Sequence, residues 1–247
     1  SSPATLAFNS PGAEGFGVKR AGLAVPESVM LLVSPGCCGR STSVLSSMRA
    51  YQDRFYYLLM DETDIVTGRH LKKIPKAVAE ICEGLKKKPS VVMICITCVD
   101  ALLGTDMERV CHKAEEYAGV PVRPCYMYAL TREGRKPPMV HVRQSVYSLL
   151  EPKKKKGNVV NLLGYFSPLT DDCELYDLLH GAGVKTIHEI SRCKDYAQYQ
   201  TMSEANFNLV LHPEARFAAE DFHDRLKIPY IALRRIYQID NIASQYR

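Results

Sequence analysis

The chain contains no run of 18 apolar residues, which excludes a membrane-spanning helix. Its first 30 residues lack the basic start and apolar core of a secretory leader, so none is expected. There is no basic helix, aromatic stacking motif or zinc finger. The net charge of +5 comes largely from Lys86–Lys88 and Lys153–Lys156. Such runs read as solvated loops or helix ends, so neither nucleic acid nor a membrane is an expected partner. The pattern of a small secreted disulfide framework is missing too. Nine cysteines are spread singly or in pairs through apolar stretches of a 247-residue chain. That points to a reducing cytoplasm, with most thiols acting as small buried hydrophobes.

What is present is an alternation. With 46% hydrophobic and 24% charged residues the chain is globular, long enough for one large domain or two smaller ones. Apolar, β-branched runs at 28–33, 55–60, 90–96, 120–122, 158–164, 184–190, 206–211 and 229–233 read as strands. Helical patterns lie between them. Residues 70–87 carry Ile74, Val78, Ile81 and Leu85 at amphipathic spacing, and Thr105 with Glu108 reads as a capping box. The alternation predicts an α/β fold with two Rossmann-like, doubly wound parallel-sheet domains at 1–150 and 157–247. The polar, lysine-rich stretch 151–157 is the boundary.

In such sheets, sites form at the carboxyl ends of the strands. Two of those ends carry thiols. "SPGCCGRSTS" (34–43) places Cys37 and Cys38 between a Pro-Gly turn and an expected helix start. The strand ending at Ile96 holds Cys95 and runs into Cys98. If the two strands are neighbours, Cys37 or Cys38 lies within cluster-binding reach of Cys98. Thiolates hold iron–sulfur clusters and soft metals, and a helix start is expected to lower the pKa of Cys38. Residue chemistry alone leaves four readings open: a bound cluster, inert core thiols, a disulfide, or zinc. Against zinc, only one C-x-x-C is present, with no histidine at ligand spacing.

Longer segments carry more. "SPGCCG" (34–39), "DETDIVTGRHLKKIPKAVAEI" (61–81), "VVMICITCVDALLGTDMERVCHKAEEYAGVPVRPC" (91–125) and "NVVNLLG" (158–164) resemble the nitrogenase component 1 type family. In its middle block, Cys98, Leu103, Gly104 and Asp106 match the family pattern at the expected spacing. The resemblance implies a subunit of Rossmann-like domains paired with a like subunit, as a homodimer or heterodimer. An iron–sulfur cluster lies at the interface and takes electrons from an ATP-dependent iron protein. By motif position Cys38 and Cys98 carry over as cluster ligands. Cys37, where the family has glycine, is a spare or substitute ligand, and Cys95 is a reserve.

The departures from the pattern also inform. A third family cysteine, about two dozen residues before Cys38, has no counterpart in residues 9–14, where Glu14 is the conceivable substitute. This favours a 4Fe-4S cluster over an eight-iron one. His212 stands near the place of a cofactor cysteine, and the family's third domain is missing from the sequence, so nitrogen fixation is not expected of the chain as given. No catalytic residue is assigned. The resemblance implies an oxidoreductase subunit, with two alternatives: a non-catalytic scaffold for metallocofactor assembly, or a degenerate relative that binds a small molecule without a cluster.

Overall fold

The computed structural model describes residues 13–38, 46–127, 136–233 and 239–245. The chain divides into two compact units, Ser1–Leu149 and Leu150–Arg247. Each is built on a four-stranded sheet whose neighbouring strands are all parallel. The expected α/β class, with two doubly wound parallel sheets, is what the structure has.

The first unit runs α1 (Ala13–Gly22), β1 (Val29–Ser34), β2 (Phe55–Leu59), α2 (Glu62–Thr67), α3 (His70–Gly84), β3 (Val92–Ile96), α4 (Cys98–Leu103), α5 (Met107–Ala118), β4 (Val122–Tyr126) and α6 (Pro138–Tyr147). Its sheet order is β2-β1-β3-β4. β1 and β3 are central and buried at every position, which explains their unbroken apolar composition. Alternation along them separates two cores. Val29, Leu31, Val33, Val92, Ile94 and Ile96 pack against Ile74, Val78, Ile81 and Cys82 of α3 and Met107, Cys111 and Ala114 of α5. Met30, Leu32, Met93 and Cys95 point the other way, where α1 and α6 cover the sheet. α1 comes very close: a Cβ added at Gly22 would lie 2.7 Å from Met30 Cε and 2.9 Å from Cys125 Sγ.

The second unit runs β5 (Val159–Leu163), α7 (Glu174–Gly181), β6 (Thr186–His188), α8 (Tyr196–Gln200), β7 (Phe207–Val210), α9 (Arg216–Leu226), β8 (Tyr230–Ala232) and α10 (Ile239–Gln245). Its order, β6-β5-β7-β8, repeats that of the first. Val160, Leu162, Leu175 and Leu209 form a core on one face. In the sheet itself Asn161 and Asn208 are register partners, and Asn161 Nδ2 donates to Asn208 Oδ1 at 2.7 Å.

Several local expectations change. The helix at 107 is capped by Asp106, whose side chain accepts from Arg109 N, because the Thr105 hydroxyl is engaged by Asp100 instead. Residues 61–64 open α2 with a reciprocal cap between Asp61 and Asp64. α1 and α4 were not expected at all. In the lysine run Lys153, Lys154 and Lys156 are exposed, as expected, and only Lys155 is half-buried, its Nζ donating to Ser203 O at 2.7 Å; Lys156 Nζ pairs with Glu204 at 2.5 Å.

Candidate functional site

Parallel strands bring their carboxyl ends to one edge. In the first sheet β1 is followed in the chain by β2 on one side, while the next strand, β3, is laid down on its other side. The loops after β1 and β3 therefore part at the switch point, where a doubly wound sheet opens a crevice. Cys37 and Cys38 come from the first loop and Cys98 from the second. Cys37 is exposed, and Cys38 and Cys98 are half-buried. The Cys37 and Cys38 sulfurs are 3.9 Å apart. Residues 36–38 are already helical, with Cys38 N donating to Pro35 O at 3.1 Å. Cys98 is the first residue of α4, and its Sγ lies 3.9 Å from the Met127 carbonyl oxygen.

Electrostatics tie these groups together. The Cys38 thiol is pushed up from its ordinary pKa, first by burial, then by the hydrogen bond and charge of Cys37 and the charge of Cys98, with the Lys19 ammonium opposing. The expected lowering by a helix start is not what is found: loss of water first, and then the neighbouring sulfurs, raise the pKa instead. A raised pKa favours the protonated thiol, and a bound cation or cluster would favour the thiolate. Lys19, from α1, is fully buried. Burial lowers its pKa, and the neighbouring sulfurs of Cys95 and Cys38 raise it. Cys95 is fully buried in β3, with its thiol pushed up to about 12 by burial.

A polar network holds the Cys98 loop from behind. His70 Nε2 meets Asp100 Oδ1 at 2.8 Å, and His70 Nδ1 meets the Asp64 carbonyl oxygen at 3.0 Å. Thr105 Oγ1 donates to the same Asp100 oxygen at 2.9 Å. Asp64 in turn accepts from Lys73 at 2.7 Å and Arg69 at 2.9 Å. His70, Asp100 and Asp64 are buried. The chain of contacts joins α2 and α3 to the first turn of α4 and fixes where Cys98 stands. Sequence reading missed it; an aspartate inside the apolar run "CVDALL" was the one signal available.

The remaining thiols stand apart from this edge in role. Cys82, Cys111 and Cys125 are buried, and burial is the leading cause of the upward shift of each. In the second unit Cys193 is pushed up to about 11, chiefly by burial. Arg40, Ser41, Thr42 and the side chain of Glu14 lie outside the described residues. His212 lies two residues past the end of β7, beside Gly164. Its ring lies edge-on to Tyr165 at 5.7 Å and its Nδ1 accepts from Glu214 N. A Cβ at Gly164, where φ is +139°, would stand 2.7 Å from His212 N.

Among the described residues no three His, Cys, Asp or Glu side chains converge as ligands of a single metal ion. A cluster spreads its ligands over several irons, so wider-set thiols from two loops suit it better than a mononuclear ion. Ser34 Oγ and Thr97 Oγ1, each immediately before one of these loops, are buried and lack hydrogen-bond partners. Thiols and orphaned hydroxyls together fit a sulfide-bearing group.

The family model for nitrogenase component 1 type oxidoreductases matches residues 14–247. The chain belongs to that family. Proteins of the nitrogenase family bind metal–sulfur clusters and assemble with like subunits. Among curated proteins, the nitrogenase iron-molybdenum cofactor biosynthesis protein NifE of Nostoc sp. is 27% identical over 187 residues, covering 74% of this chain and 38% of that protein. NifE of Rhizobium meliloti is 32% identical over 127 residues, covering 50% of this chain and 26% of that protein. The chain therefore spans less than half the length of these relatives. The solved structure described as nitrogenase Cp1 at pH 6.5 matches with a TM-score of 0.68 at 17% identity, covering 93% of this chain and 56% of that one. That likeness shows the fold. No described helix is long and apolar enough to cross a membrane.

Proposed function

We propose that the chain is the cluster-holding part of a nitrogenase-like oxidoreductase subunit. Cys38 and Cys98 are ligands of an iron–sulfur cluster of the 4Fe-4S type, Cys37 is a further ligand, and Cys95 is a reserve. The observation that carries this is the delivery of three accessible or half-buried thiols to one switch point by β1 and β3. Residues 1–150 form the domain with the ligand loops, and residues 157–247 the second. The bound cluster supplies one-electron chemistry. The chain's own part is to hold the thiols in place, through α4 and the His70–Asp100 network, and to limit water at Cys38 and Cys98.

Three thiols fall short of the usual four ligands, which supports a like subunit completing the site. Leu102 and Leu103 of α4 are 65% and 51% exposed beside Cys98, an apolar surface suited to such a contact. An ATP-dependent iron protein is the proposed electron donor. A cytoplasmic setting goes with nine free thiols. A second reading, a scaffold that holds a precursor cofactor and passes it on, is favoured by the NifE relatives. The test is anaerobic reconstitution with assay of iron and acid-labile sulfide. Wild type should take up a stoichiometric cluster, and Cys38→Ala and Cys98→Ala should lose most of it. Release of cluster to an apo-acceptor without turnover would select the scaffold.

A further inference from the structure

One thiol from the loop after β1 would anchor that side of a cluster, yet the loop carries two in succession, Cys37 and Cys38. Their sulfurs lie 3.9 Å apart and share a hydrogen bond in which either can donate. The two differ in access. Cys37 is exposed and Cys38 is half-buried. Beyond its chain neighbours, no described atom lies within 4 Å of a Cβ built on Gly36, so small molecules can reach the pair from that side. Cys82, Cys95, Cys111 and Cys125 are buried, and a reagent in solution meets Cys37 before any of them.

An exposed thiol with a second thiol beside it is the arrangement that thiol–disulfide exchange uses. In the first step the Cys37 sulfur attacks a low-molecular-weight disulfide. The reagent's S–S bond breaks, a mixed disulfide forms on Cys37, and one small thiol leaves with the proton that Cys37 gave up. In the second step the Cys38 sulfur, already 3.9 Å away, attacks the Cys37 sulfur. The mixed disulfide breaks, the Cys37–Cys38 bond forms, and a second small thiol leaves with the Cys38 proton. The two protein sulfurs lose two electrons and the incoming disulfide gains them. Proximity favours this second step over attack on another reagent molecule. Adjacent Cα atoms are held about 3.8 Å apart, below the usual span of a disulfide, so closing the ring needs the backbone to adjust. Gly36 and Gly39 flank the pair in the sequence and lower the cost of that adjustment. A bond made over so short a span is readily reduced, which makes the step reversible.

We infer that Cys37 and Cys38 form a reversible disulfide switch: a small disulfide of the glutathione type reacts at Cys37, Cys38 resolves the adduct, and the closed bond withdraws Cys38 from cluster binding. The last part rests on the cluster assignment above; the covalent part does not, so the two fail separately. The experiment exposes the iron-free chain, without air and at mildly alkaline pH, to glutathione disulfide. Remaining thiols are then alkylated and the 37–38 peptide is weighed by mass spectrometry. Cys37→Ser and Cys38→Ser variants are treated in the same way, as is wild type first reconstituted with iron and sulfide and freed of excess reagent.

The iron-free wild-type peptide should lose two hydrogens, carry no glutathione, and regain both thiols with dithiothreitol. Cys38→Ser should keep glutathione on Cys37, because the resolving sulfur is gone. Cys37→Ser should take up glutathione in this loop several-fold more slowly than Cys38→Ser does. Glutathione that stays on Cys37 in wild type, a disulfide joining Cys98 to either thiol, or a pair that does not react would each overturn the switch, and wild type alone decides this if a variant fails to fold. The iron-loaded chain should close the bond several-fold more slowly than the iron-free one. Closure at the iron-free rate with iron and sulfide retained would overturn the exclusion between bond and cluster. A wild-type chain that takes up no iron removes the cluster assignment, and the exclusion with it, while the mass result on the pair still stands or falls by itself.

Discussion

At the scale of single residues, burial sorts the seven thiols of the first unit. Cys37 is exposed, Cys38 and Cys98 are half-buried at one sheet edge, and Cys82, Cys95, Cys111 and Cys125 are buried. Access predicts the order of alkylation. Iodoacetamide on the native, iron-free chain should label Cys37 first, then Cys38 and Cys98. The four buried thiols should stay unlabelled until denaturant is added, as read by peptide mass spectrometry. Early labelling of Cys95 would contradict its position. Asp64 supports a second prediction. Hydrogen bonds from Lys73, then Arg69, hold its carboxyl below the ordinary 3.8, at about 2. The native state therefore releases this proton more readily than the unfolded state, and stability rises with pH across that interval. The contribution is complete above about pH 4 and is lost as pH falls through about 2. Asp64→Asn should flatten the dependence of the urea midpoint on pH in that window.

The sequence announces Cys37, Cys38 and Cys98, because paired thiols in a Pro-Gly turn and a thiol just past an apolar run are visible in one dimension. Lys19 and His70 are not. Each lies far from its partners in the chain, and a lone Lys or His carries no mark of burial.

At the scale of elements, β1, β3, β5 and β7 are legible because central parallel strands are buried on both faces and so read as largely apolar runs, interrupted in β5 and β7 only by Asn161 and Asn208. β4 is harder. It was expected at 120–122 and runs over Val122–Tyr126 with Pro124 inside it. Its place at the edge of the sheet tolerates the missing N–H. α1 escapes detection because Gly15, Gly17 and Gly22 weaken its propensity; its reason for being helical is tertiary contact with α6 and β4. α4 is six residues long with no side-chain cap, so neither period nor capping marks it.

That dependence on close contact is testable. Gly22→Val would drive a side chain into Met30 and Cys125 and should cost about 1–3 kcal/mol in urea unfolding. Gly164→Ala should cost a similar ~1–3 kcal/mol, because φ of +139° and the His212 backbone at 2.7 Å leave no relaxed position for a methyl group. A change under ~0.5 kcal/mol at either site would mean the backbone gives way more easily than the packing implies.

At the scale of the whole molecule, two units repeat one topology, and each switch point carries different chemistry: thiols in the first, Gly164 and His212 in the second. The repeated strand–helix rhythm makes the fold class legible from sequence. The pairing of β1 with β3 is not written in any local segment, and it is what brings Cys38 and Cys98 to one crevice. The most direct measurement is the paramagnetic-resonance spectrum of the dithionite-reduced chain, purified and reconstituted without air. The account predicts the signal of a reduced iron–sulfur cluster in wild type and in Cys82→Ala, and its loss in both Cys38→Ala and Cys98→Ala. A wild-type signal that survives both of those substitutions, or no signal from a chain shown to be folded, would contradict it.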